Sequence, residues 1–132
     1  QAKDKAIHLL EKTGLNAEDY NRFPHTFSGG QRQRIVIARS LALEPELLIC
    51  DESVAALDVS VQSKVLNLLK DLQDDFKFSC LFITHDLSVV QFISDRIIVL
   101  NKGKIEEEGR TAEVLSKPQS LYTKSLVEAV FH

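Results

Sequence analysis

No Gly-x-x-x-x-Gly-Lys-Ser/Thr loop occurs in these 132 residues, so a phosphate cradle of that kind is not among them. No apolar run approaches the ~20 residues a membrane-spanning helix needs, which leaves any membrane association to a partner. No signal-peptide pattern stands at the start. Cysteine is scarce: Cys50 and Cys80 sit in separate apolar runs without Cys-x-x-Cys spacing and read as reduced, buried thiols of a cytosolic protein. The histidines at 8, 25, 85 and 132 show no ligand spacing with them, which argues against a metal held by thiolate and imidazole. A stripe of basic residues is also missing. The net charge is -3 with acids and bases interspersed, so nucleic acid is not the expected ligand. Internal repeats and low-complexity tracts are absent as well.

What remains is ordinary for one globular domain, at 44% hydrophobic and 27% charged residues. Ala2, Ala6, Leu9 and Leu10 fall at helical spacing, and Thr13-Gly14 ends that helix. Residues 15–27 read as a short helix or turn and a loop, with Pro24 disfavouring helix at Phe23. Ser28 is a good N-cap for a helix turning Ile35, Ala38, Leu41 and Ala42 inward and stopped by Glu44-Pro45. Leu47 to Cys50 predicts a strand buried on both faces. Asp58 caps a helix whose apolar stripe is Val61, Val65, Leu68, Leu69 and Leu72. Ser79 to Thr84 predicts a second buried strand and Leu87 to Ile93 a short helix. Arg96–Leu100 and Lys104–Glu108 flank Asn101-Lys102-Gly103 as a hairpin, and Glu106-Glu107-Glu108 reads as a solvated face. Tyr122, Leu126, Ala129 and Val130 line a last helix. Strands alternating with helices at these spacings predict an α/β fold, mostly parallel, with flanking helices and a C-terminal hairpin.

Three segments carry chemistry. Ser28-Gly29-Gly30-Gln31 opens a helix, where unpaired N–H groups hold partial positive charge and two glycines let an anion approach the backbone. Asp51-Glu52 follows an apolar strand, at the carboxyl edge where open α/β sheets bind ligands. His85 follows the next apolar strand.

Together, Phe27-Ser28-Gly29-Gly30-Gln31-Arg32-Gln33-Arg34, Leu47-Leu48-Ile49-Cys50-Asp51-Glu52 and Phe82-Ile83-Thr84-His85-Asp86 resemble the nucleotide-binding domain of ABC-type ATPases. The resemblance implies a partial P-loop NTPase fold. Residues 1–44 would be the remainder of the helical subdomain, and residues 45–132 the C-terminal part of a RecA-like catalytic core. It implies ATP and Mg²⁺ as cofactors, both dependent on an upstream Walker A segment. Asp51 would serve the metal, Glu52 would be the catalytic glutamate, and His85 the γ-phosphate switch. Ser28, Gly29, Gly30 and Gln31 would act in trans, on nucleotide held by a second ATPase subunit, identical or not. Ala55, Ala56, Leu57 and Asp58 fall on the D-loop at the dimer interface, with Ala55 in place of the usual serine and Ser53 in place of proline.

Pro24-His25-Thr26-Phe27, Ala55 to Gln62, Phe82 to Val90 and the Tyr122-Thr123 tail resemble the ATPase subunits of dipeptide, oligopeptide and nickel importers. That branch implies membrane permease partners, indirect dependence on an external solute-binding protein, no nucleic acid, and a peripheral position on the cytoplasmic face of the membrane. In the family the phosphate-loop strand lies beside the histidine-bearing strand. This piece is therefore expected to have an open strand edge and little or no ATPase activity alone. Two other readings are a non-transport ABC ATPase, disfavoured by Gln31 and the lack of long heptads, and a non-catalytic interaction module derived from one.

Overall fold

The computed structural model describes residues 1–131, and His132 lies outside them. The chain divides between Ile83 and Thr84 into two compact units.

The first unit begins with α1 (Ala2–Lys12), closed by Thr13 and by Gly14 at φ 78°, a conformation glycine adopts without a Cβ penalty. Two 3₁₀ turns follow, Ala17–Asn21 and Pro24–Thr26, with Phe23 extended before the proline. Helix α2 (Gly29–Leu41) then leads to β1 (Leu47–Asp51), α3 (Val59–Phe76) and β2 (Ser79–Ile83). Strands β1 and β2 pair in parallel, from Leu47 opposite Ser79 to Asp51 opposite Ile83. Arg34 of α2 donates to the carbonyls of Thr13 and Gly14, at 3.5 and 3.3 Å, which caps the C-terminus of α1 with a cation.

The inward face of α2 differs from the expected one. Gly30, Ile37, Ala38 and Leu41 are buried, Ile35 is half-buried and Ala42 is exposed just past the helix end. In α3 the deepest residues are Val65, Leu66, Leu69 and Leu72, with Val61 and Leu68 at the margin. The two strands depart further. Leu48 and Cys50 are buried, but Leu47 and Ile49 are 54% and 59% exposed, and Leu81 and Ile83 of β2 are exposed beside them. A strand alternates its side chains, and the packing elements of this unit cover one face of the pair only.

Asp58 caps α3 as expected: its carboxylate accepts the Val61 N–H at 3.1 Å and the Ser60 hydroxyl at 2.8 Å. The Val61 N–H, with the Ser60 hydroxyl behind it, holds the Asp58 carboxyl below its ordinary value of 3.8. A carboxylate with a depressed folded pKa stabilises the fold above its unfolded pKa, and that contribution is lost as pH falls through the folded value. Asp58→Ala is therefore expected to lower the melting temperature by roughly 2–5 °C at pH 7. The deficit should shrink as thermal melts are taken to progressively lower pH below 4. A deficit that stays constant across that range would mean the cap does not contribute through its charge.

The second unit contains α4 (Leu87–Ile93), β3 (Arg96–Asn101), β4 (Lys104–Arg110), α5 (Thr111–Ser116) and α6 (Leu121–Phe131). The hairpin turns on two residues, Lys102 and Gly103, both at positive φ, as a right-twisted ribbon prefers. The parallel pair and the antiparallel hairpin form separate two-stranded sheets. The core of this unit is Leu87, Ile97, Val99, Val114 and Val127, with Tyr122 and Leu126 packed against it. Val127 and Thr123 are the buried residues of α6, whereas Ala129 and Val130 are exposed.

The triple glutamate is not simply a solvated face. A register shift after Val99 leaves Glu106 as the extra residue of a bulge. Glu107 then turns in to accept the N–H groups of Gln119 and Ser120, at 2.9 and 3.0 Å, just ahead of α6. Those bonds, the Gln119 N–H first, hold its carboxyl below the usual glutamate range. Helix α5 had no counterpart in the sequence reading. It is short, and its start is fixed by the Thr111 N–H on the Asp95 carbonyl and by a 2.8 Å hydroxyl contact between Thr111 and Ser94. Among the described residues no helix is long and apolar enough to cross a membrane.

Candidate functional site

Ser28 holds an extended conformation, φ −65° and ψ 165°, and starts α2 with a reciprocal capping box. Its hydroxyl oxygen accepts the Gln31 N–H at 3.2 Å, while the Gln31 carbonyl oxygen accepts the Ser28 N–H at 3.0 Å. The box engages the acceptor atom of each side chain. What it leaves available are donors: the Ser28 O–H, the Gln31 NH₂ and the first-turn N–H groups of Gly29 and Gly30, which have no carbonyl one turn back. A turn that has bound its acceptors and kept its donors suits an anion.

The glycines of this turn have different neighbours. A Cβ on Gly30 would lie 2.5 Å from Cγ1 of Val61 on α3, so the close approach of α2 and α3 requires glycine there. A Cβ on Gly29 would meet Cδ2 of Leu57 at 3.5 Å, an ordinary contact, so packing leaves room at this position. The donor turn thus lies against Leu57 and the start of α3. Chain continuity carries that surface back through Ser53–Asp58 to Asp51 and Glu52.

Asp51 is the last residue of β1, and the Glu52 N–H continues the ladder onto the Ile83 carbonyl at 2.9 Å. Both carboxylate residues are exposed. Glu52 sits at φ 50°, a left-handed conformation that costs a non-glycine residue roughly 1–2 kcal/mol. The reversal is stabilised by two turn hydrogen bonds, Ala55 N–H to the Glu52 carbonyl at 3.2 Å and Leu57 N–H to the Val54 carbonyl at 3.1 Å. Val54, 2% exposed, anchors the loop. Ala55 and Ala56 lie on its outer side, and Asp58 ends it as the cap of α3.

His85 belongs to the second unit. It is exposed in the short link between β2 and α4, where the Asp86 N–H donates to the Thr84 hydroxyl at 3.1 Å and the Asp86 carboxylate caps α4 through the Ser88 N–H at 2.8 Å. The first unit therefore sets Ser28–Gln31 against Leu57 of the Ala55–Asp58 segment and also contains Asp51 and Glu52, and the second carries the histidine.

The thiols are both free, Cys50 buried and Cys80 half-buried, with their sulfurs 3.9 Å apart on neighbouring strands. The Cys80 thiol at its side and burial push the Cys50 thiol up, which makes it a poor nucleophile and metal ligand. The sequence reading missed Arg22. Its guanidinium binds Asp19 and the Thr26 carbonyl and lies over the Phe27 ring, immediately ahead of the capping box. The only local signal was the Asp19–Arg22 spacing of three.

The chain is similar to known proteins in sequence and in fold. Residues 1–55 match the model of the ABC transporter family. The chain is 52% identical over 129 residues to the dipeptide transport ATP-binding protein DppF of Haemophilus influenzae, covering 98% of this chain and 39% of that protein. It is 52% identical over 130 residues to the oligopeptide transport ATP-binding protein AmiF of Streptococcus pneumoniae, with 98% and 42% covered. It thus spans about two fifths of the length of these curated relatives. Among solved structures, the ADP conformation of MJ1267, an ATP-binding cassette of an ABC transporter, superposes with a TM-score of 0.81 at 28% identity, covering 95% of this chain and 50% of that one. An inward-facing putative metal-chelate type ABC transporter gives 0.78 at 36% identity, with 85% and 44% covered. Its α/β fold is that of the ATP-binding cassettes among these solved structures, and the chain is similar along nearly its whole length to ATP-binding proteins of ABC transporters.

Proposed function

We propose that these residues form the signature-to-switch portion of an ATPase subunit that powers import of peptides or a related solute. The observation that carries this reading is the Ser28–Gln31 turn, whose capping box engages the side-chain oxygens and leaves their donors unused, and which adjoins the loop that leads back to Asp51 and Glu52. In a protein of the relatives' length the phosphate loop lies outside these 132 residues, and it would hold the nucleotide in each subunit. Residues 1–44 are then the helical subdomain's contribution, and 45–132 that of the catalytic core.

The residues present fit ATP and magnesium. Magnesium keeps several of its waters and needs few protein oxygens, so the single exposed carboxylate of Asp51 is adequate. When bound, the ion neutralises charge on the phosphates. Glu52 orients and accepts a proton from the attacking water. Ser28, Gly29, Gly30 and Gln31 donate to the terminal phosphate held by a second subunit, across an interface to which Ala55–Asp58 contribute. His85 contacts the terminal phosphate of the nucleotide held by its own subunit and registers its loss. The subunit works on the cytoplasmic face of the membrane, held there by permeases, and an external binding protein supplies the cargo.

The test uses the full-length protein purified with its permeases. Mg²⁺-dependent ATP hydrolysis, stimulated by a peptide-loaded binding protein, is expected there, whereas residues 1–132 alone should give none above background. Full-length protein that copurifies with no membrane component, or hydrolysis by the 132 residues alone, would overturn this assignment.

A further inference from the structure

We propose that Arg22 is a positioning residue for the donor turn, tying its approach segment on both sides of the Pro24 bend. The inference rests on the ATPase reading above and deepens it. Three contacts converge on one guanidinium. Nη1 donates to the Asp19 carboxylate at 2.7 Å, Nη2 donates to the Thr26 carbonyl at 2.8 Å, and the guanidinium carbon stands 4.3 Å from the centroid of the Phe27 ring.

Each partner is itself fixed. Asp19 is nearly buried, and its other oxygen accepts the Asn16 N–H at 2.8 Å. Thr26 closes the 3₁₀ turn through its N–H and its hydroxyl, both on the Phe23 carbonyl. Phe27 is 6% exposed and directly precedes Ser28. The planar fork therefore links a rigid post, Asp19, to the two residues that set the entry angle of Ser28. Lysine could reach one of these partners, but it could neither fork to two nor lie flat on the ring.

The capping box sets the local shape of the turn, but not where the turn sits. Arg22 supplies the second kind of restraint. Recognition of a phosphate by several fixed donors falls steeply with small misplacements, and about 1 Å can cost a hundredfold. Because the donors act on nucleotide held by the other subunit, weakening Arg22 should affect closure of the ATP-bound dimer and spare ATP binding by the separated subunit.

The experiment places Arg22→Gln, Arg22→Lys and Phe27→Leu in full-length protein carrying Glu52→Gln, and measures ATP-driven dimerisation alongside ATP affinity of the monomer. Arg22→Gln should raise the ATP concentration for half-dimerisation about tenfold, Arg22→Lys and Phe27→Leu about threefold, with monomer affinity unchanged. In the otherwise unmodified subunit, Arg22→Lys should lower kcat and leave the affinity for ATP intact. Dimerisation of Arg22→Gln at the parental ATP concentration would overturn the proposal. So would equal losses of monomer affinity and dimerisation, because a purely structural role predicts both. If Arg22→Gln does not fold, as judged by thermal melting, the two milder variants decide by the same criterion. If the Glu52→Gln parent with Arg22 intact does not dimerise on ATP, the ATPase reading itself fails.

Discussion

Glu52→Gln in the full-length protein is expected to reduce ATP turnover by about 10²–10⁴-fold, the range that removal of a general base typically costs. ATP-bound dimers should accumulate at the same time. The substitution suits the site because glutamine keeps the size of the side chain and part of its hydrogen bonding, and loses only the capacity to take a proton. It also asks nothing new of the backbone, since the replacement would need the same left-handed φ of 50° that Glu52 already holds. The neighbouring turn bonds, on the Glu52 and Val54 carbonyls, involve main chain and should survive. Phosphate release and size-exclusion chromatography with ATP measure the two halves. Turnover retained within about a factor of two, against the far larger loss a missing base causes, would remove Glu52 from that role.

The next largest effect is expected from Gly30→Ala, and it concerns stability before catalysis. The added Cβ would stand 2.5 Å from Cγ1 of Val61, well inside contact. Val61 cannot readily swing away, because a β-branched side chain in a helix has essentially one rotamer. Helices α2 and α3 must then separate, at a cost of about 1–3 kcal/mol, a sizeable share of the roughly 5–15 kcal/mol that holds a domain folded. Thermal or denaturant unfolding should show the loss, and Val61→Ala should restore most of it by removing the methyl in the way. Gly29→Ala is the contrasting case. Its Cβ would rest 3.5 Å from Leu57, so the melt should change little, while ATP-driven dimerisation weakens because a side chain now shields the first N–H groups. Should Gly30→Ala melt at the parental temperature, the packing account of that glycine is wrong. Should Gly29→Ala weaken stability and dimerisation alike, the two glycines do not divide the work as their neighbours indicate.

The features that could be read directly from the chain are those whose cause is local or periodic. Ser28 and Asp58 cap their helices because a short oxygen-bearing side chain three residues ahead of a free N–H needs no help from elsewhere. The apolar stripe of α3, the two-residue turn at Lys102-Gly103, and the acidic pair at the end of an apolar strand are of the same kind. The resemblance to a family was legible for a similar reason, since the segments that carry it are short contiguous strings.

Tertiary structure alone decided the rest. Whether β1 and β2 are covered on one face or two depends on which other elements pack there, and no pattern within Leu47–Asp51 records it. Glu107 looks like its neighbours in sequence and becomes the anchor of the segment ahead of α6 because Gln119 and Ser120 are brought to it from about a dozen residues away. The need for glycine at position 30 is set by Val61, and the importance of Arg22 by Phe27 and Asp19 together. Sequence thus determined most of the elements and the chemical groups they carry, because those follow from neighbours along the chain, whereas α5 took its start from contacts with Ser94 and Asp95. Which groups share a surface, and how firmly each is held there, came from contacts between distant residues, whose energies exist only once the chain has folded.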